Sequence, residues 1–123
     1  MRPQRKLVLA MNDTFTTTTP ALPKLDPEGF LLHLSDWTPA AAEQLAIRED
    51  IALRDEHWEV LSLLRRFYEA HQVAPANRAL VALVKRELGS DKGQSRYLMG
   101  LFGGSPAKLA AKIGGLPKPE NCL

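Results

Sequence analysis

The chain contains a single cysteine, Cys122. No internal disulfide is available to it, so packing alone must hold its fold. Long apolar runs are also missing: the longest near the start, "LVLAM", falls far short of the roughly 20 residues that a membrane span needs, and no small-residue cleavage site follows it. A cytoplasmic location without a membrane partner is expected. Aromatic residues make up only 7% of the chain, and Trp37, Trp58, Phe67 and Tyr97 fall within apolar stripes, which assigns them to a core and not to a base-stacking surface. His33, His57, His71 and Cys122 show no pair at the short spacing that aims two ligands at one ion, so neither a metal nor a cofactor is expected. Ser90–Gly93 has glycine and lysine without phosphate-loop spacing, which leaves nucleotide binding without support. Lysine is absent from residues 31–84, where acids outnumber the arginines; residues 85–123 carry seven basic side chains against three acidic ones. The basic residues are dispersed, as on solvated helix faces, and form no compact nucleic-acid footprint.

What is present describes one small domain. With 123 residues, 45% of them hydrophobic, the chain suffices for one core. Residues 1–20 join a basic start to a threonine run and read as a disordered extension. Turn chemistry at Asp26-Pro27-Glu28-Gly29 between short apolar stretches predicts a small β-hairpin at about 22–34. Thr38-Pro39 opens a first helix ending near Asp50, with Leu45, Ala46 and Ile51 on its buried side. A second helix follows an Asp55 cap, with Trp58, Leu61, Leu64 and Tyr68 as its stripe and Val60 and Phe67 widening it. A third runs to Leu88 and stops at Gly89, exposing Arg78 and Lys85. Tyr97, Leu98, Leu101 and Phe102 mark a fourth, ended by Gly103 and Gly104. Ser105-Pro106 opens a fifth, which closes at Gly114. The expected fold is mostly α (α+β): a compact bundle of about five helices at 21–113, a small N-terminal hairpin, and a flexible C-terminal arm at 114–123.

The arm reads as a device for moving a thiol. Gly114 and Gly115 form a hinge, Pro117 and Pro119 stiffen the segment, and Cys122 stands near its tip. Ten extended residues from Gly114 reach at most about 33–36 Å, enough to enter another protein's cleft. Lys118 favours the thiolate while Glu120 opposes it. From the residues alone, an exposed thiol of no consequence and a mobile sulfur or redox arm both stand. Prenylation does not, since its signal places cysteine fourth from the end. A rigid Cys–His hydrolase site is excluded by the position of the thiol on a mobile tip.

The landmarks "LDPEGFL", Trp37, "HWEVL", "LRRFY", Pro75, Arg78, "DKGQSRYL", "LFGGSPAKLAAKIGGLPKP" and Cys122 resemble, in order and over residues 22–123, the DsrC/TusE family of small sulfur-trafficking proteins. The resemblance implies a helical fold with a hairpin and a mobile arm, and a cysteine that carries sulfur as a persulfide or mixed sulfide. The two-cysteine branch has a second arm cysteine ten residues upstream, where this chain has Lys112; the chain is therefore more similar to the single-cysteine TusE-like branch. Implied partners are a persulfide donor protein or complex and a tRNA-thiolating acceptor enzyme, with tRNA involved only indirectly, or alternatively a dissimilatory sulfite reductase or sulfur-oxidation enzyme. A regulatory or DNA-binding module on the same fold is the third expectation. Candidate docking residues are Arg78, Lys85 and Lys92. Arg54 stands where the family has a capping threonine, a loss that Asp55 is expected to repair.

Overall fold

The computed structural model describes residues 22–120. The extension at 1–20 and Cys122 lie outside the described residues. Five α-helices follow a 3-10 turn at Leu34–Asp36: α1 (Pro39–Arg48), α2 (Asp55–His71), α3 (Asn77–Leu88), α4 (Ser95–Phe102) and α5 (Pro106–Ile113).

Local chemistry accounts for most helix ends. The Thr38 hydroxyl accepts a hydrogen bond from the Ala41 amide at 3.0 Å, and Pro39 fills the first helical position of α1, where no amide is needed. Gly89 at φ +101 ends α3. The start of α2 differs from expectation: Arg54 is the capping residue and Asp55 the first helical one. The reason is His57, whose Nδ1 accepts the Arg54 amide at 3.0 Å while its Nε2 donates to the Leu101 carbonyl at 2.8 Å. The Nε2–H tautomer satisfies both bonds and ties the start of α2 to α4. Asp55 still contributes a negative charge to the positive end of the helix dipole. On α2 the expected Val60, Leu61 and Leu64 are buried, joined by His57 and Leu63, while Trp58, Phe67 and Tyr68 are half-buried against the core.

The expected hairpin is absent among the described residues. Only one antiparallel bridge forms, Leu25 with Leu31, closed by the turn in which the Asp26 carboxylate accepts the Glu28 and Phe30 amides, each at 2.9 Å. The Leu32 amide donates to the Lys24 carbonyl at 3.0 Å, but the Phe30 amide is taken by the Asp26 carboxylate and beyond Leu32 the chain winds into the 3-10 turn, so the ladder stops at this one bridge.

α5 is the central element, packed against α1, α2, α3 and α4. Ala107, Ala110, Ala111 and Ile113 are all buried while Lys108 and Leu109 are half-buried, and the small alanines let its neighbours approach. Its first turn is capped from α3: Asn77 Oδ1 accepts the Ala107 amide at 2.8 Å. Around it Leu45, Val60, Leu61, Leu64, Leu80, Val84, Leu98 and Phe102 are fully buried.

Candidate functional site: the root of the cysteine-bearing arm

The arm begins where α5 ends, and its first residues are ordered. The Leu116 amide donates to the Ala111 carbonyl at 2.9 Å and the Gly115 amide to Lys112 at 3.3 Å, the two bonds of a Schellman motif. Gly115 occupies its left-handed position at φ +73, and Leu116, 2% exposed, fills the apolar position that follows. The glycine pair read as a hinge is therefore part of a closed helix terminus in this structure. A β-carbon at Gly115 would stand 2.3 Å from Trp37 Cδ1, closer than any real contact.

Trp37 and Arg65 hold this terminus. Trp37 Nε1 donates to the Ile113 carbonyl at 2.9 Å, and Arg65 Nη1 donates to the Gly114 carbonyl at 2.6 Å. Both acceptors lie at the helix end, where carbonyls lack internal partners and the helix dipole is negative. The guanidinium also stacks 3.8 Å from the Trp37 ring centroid, a cation–π contact. Burial lowers the Arg65 pKa, and Glu69 partly offsets that shift; the guanidinium stays charged at any ordinary pH.

Lys112 is a buried structural cation here. Its Nζ lies 3.1 Å from Glu49 Oε2 and 5.3 Å from the Phe30 ring centroid, so it joins α5 to the end of α1 and to the Asp26–Gly29 turn. Farther along, Lys118 pairs with Glu28 at 3.1 Å, and Pro119 is buried. Pro117, Lys118 and Glu120 line one side of a crevice of about 100 Å3, with Gln72, Val73 and Ala74 on the other.

The residues anticipated from sequence thus separate into two groups. Gly114, Gly115, Pro117, Lys118 and Pro119 form one continuous path from α5 past the α2–α3 turn. Arg78 stands exposed in the first turn of α3, at the same end as that turn. Lys85 is in the last turn of α3, and Lys92 bonds Glu59 at 2.6 Å, a contact that raises the Lys92 pKa. Glu59 is thirteen residues before Gln72, about 20 Å along α2. Lys85 and Lys92 therefore lie at the opposite end of the bundle from the crevice. Arg65 was not singled out from sequence. Its signal was an arginine four residues after Leu61 and seven after Trp58, interrupting an apolar face.

Similarity to known proteins follows the same path to the end of the chain. The family model described as DsrC like protein matches residues 18–123. The "Sulfurtransferase TusE homolog" of Haemophilus influenzae is 49% identical over 98 residues, covering 80% of this chain and 90% of its own, and "Sulfurtransferase TusE" of Sodalis glossinidius is 48% identical, covering 80% and 91%. Among solved structures, DsrC of Allochromatium vinosum superposes with a TM-score of 0.73 at 44% identity, covering 80% of this chain and 88% of that one. The oxidized gamma-subunit of the dissimilatory sulfite reductase (DsrC) from Archaeoglobus fulgidus gives 0.71 at 38% identity, covering 82% and 92%. By family match, relatives and fold alike, this chain belongs to the DsrC-like family.

Proposed function

We propose that this protein is a sulfur carrier that accepts persulfide sulfur on Cys122 and passes it to a partner protein, in a relay ending in 2-thiolation of the tRNA wobble uridine. The observation that carries this reading is the sole cysteine, placed second from the end of the sequence inside a family match that runs through residue 123. The relatives named sulfurtransferase support it. In the transfer, the Cys122 thiolate attacks the outer sulfur of a donor cysteine persulfide. The donor's S–S bond breaks, its cysteine leaves as a thiolate, and the outer sulfur with its proton becomes the Cys122 persulfide; no net oxidation or reduction occurs. Gly114, Gly115, Pro117, Lys118 and Pro119 form the arm that presents the thiol. The partner supplies the surrounding pocket, and the expected setting is the cytoplasm.

A second reading, a sulfur-carrying partner of a dissimilatory sulfite reductase, draws support from the Archaeoglobus fulgidus relative, a gamma-subunit of that enzyme. Lys112 counts against its two-cysteine form, because the ion pair with Glu49 occupies the place of a resolving thiol.

Intact-mass spectrometry after incubation with cysteine, a cysteine desulfurase and a relay donor tests the first reading. Wild type is expected to gain one sulfur atom, mapped to Cys122 and removed by reductant, and Cys122→Ser none. An uncharged wild type beside a demonstrably charged donor would refute it.

A further inference from the structure

The arm's reach is shorter than the glycine–proline sequence suggests. A pivot at Gly114 would leave eight residues to Cys122 and a span of at most about 29 Å. The chain is instead held past that point: Gly114 by Arg65, Gly115 against Trp37, Leu116 in the core, Lys118 by Glu28, and Pro119 by burial. From Pro119, three residues remain to the thiol. Covalent geometry limits them to about 11 Å whatever their conformation.

Any protein exchanging sulfur with Cys122 must then cover the ground around Pro119. On one side of that exit stands the turn between α2 and α3. It is a firm rim: Gln72 takes the left-handed conformation at φ +59 and its side-chain amide donates to the Tyr68 and Glu69 carbonyls at 3.1 and 3.3 Å. Next to it Val73 is 47% exposed, an apolar side chain at the edge of the crevice that Glu120 borders. Lys118 and Glu28 neutralise one another there. Lys92, paired with Glu59 about 20 Å along α2, and Lys85, in the last turn of α3, stand at the far end of the bundle from this exit.

We propose that the α2–α3 turn at Gln72–Val73, together with Pro117 and Lys118, is the surface on which the sulfur-exchanging protein sits. Its partner face is an apolar patch bordering the cleft that receives Cys122. The proposal rests on the carrier reading and adds where the partner binds and why: a tether of about 11 Å fixes the contact zone. Ile47, the most exposed large apolar side chain among the described residues, marks the rival surface.

The test uses the full chain and two sulfur sources, with sulfur on Cys122 followed by intact mass. Inorganic polysulfide needs no docking surface; a relay donor protein charged by a cysteine desulfurase does. Val73→Arg is expected to slow uptake from the protein donor at least tenfold, through KM, while uptake from polysulfide stays at the wild-type rate. Ile47→Arg, at a residue 70% exposed, is expected to match wild type with both sources. Should arginine disturb the turn, as read by circular dichroism, Val73→Ser keeps the test alive with an expected slowing of threefold or more from the protein donor alone. Wild-type rates for the Val73 variants with the protein donor would overturn the docking surface and leave the carrier reading standing. Slow uptake by Ile47→Arg with normal Val73 variants would overturn it too. A wild type that polysulfide charges and a charged protein donor does not would remove the carrier reading, and the proposal with it.

Discussion

Two tetrapeptides in this chain are nearly the same: Gly103-Gly104-Ser105-Pro106 after α4 and Gly114-Gly115-Leu116-Pro117 after α5. Each ends a helix and each contains a glycine at positive φ, +89 at Gly103 and +73 at Gly115. Their surroundings are opposite. Gly103 and Gly104 are exposed, with nothing within 4 Å of an added β-carbon, whereas Gly114 and Gly115 are buried against Ala110 and Trp37. The third residue separates them. Ser105 stands at the N-cap and the chain begins another helix; Leu116 enters the core and locks the preceding turn. Two glycines in sequence therefore do not make a joint where the next residue anchors them in the core.

Three substitutions test this contrast. Gly115→Ala has the largest expected effect: an L-residue in the left-handed region and a collision with Trp37 together cost about 2–4 kcal/mol, to be read from urea unfolding. A urea midpoint equal to wild type would mean that this terminus is not closed as described. Arg65→Ala comes next, with a loss of about 1.5–3 kcal/mol for a charged hydrogen bond to a helix-end carbonyl. Amide exchange should rise at Gly115 and Leu116 with little change in α3; exchange unchanged at those two amides would show that Arg65 does not hold the root. Gly104→Ala is the smallest and opposite in sign. With open space around it, alanine is expected to stabilise by about 0.4–1 kcal/mol through a less disordered unfolded chain, and a loss above that size would reveal packing at the α4–α5 link.

Much of the fold was readable from residue order, because the decisive signals were local. Thr38-Pro39, Gly89 and Ser105-Pro106 each mark a helix end within a few residues, by capping, by backbone freedom or by a missing amide. The misreadings came where a distant group substitutes for a local one. Asp55 looked like the cap of α2 until His57, bonded also to the Leu101 carbonyl, took the amide of Arg54. The turn at Asp26–Gly29 looked like a hairpin, yet its flanks close only one bridge before the chain turns toward Trp37. At the candidate site, the cysteine and the glycine–proline path were evident, while the clamp was not: Trp37 is 76 positions from Ile113 and Arg65 is 49 from Gly114.

The sequence by itself determined the helix count and most helix ends, the lone thiol at position 122 and its family, since periodicity, caps and motif order are written along the chain. Tertiary structure alone decided that α5 is the central helix, that Lys112 is a buried ion-pair partner, and that the arm is held through Pro119. Each of these depends on which side chains meet across tens of residues, and hydrogen bonding and close packing act on distance in space, not on separation in sequence.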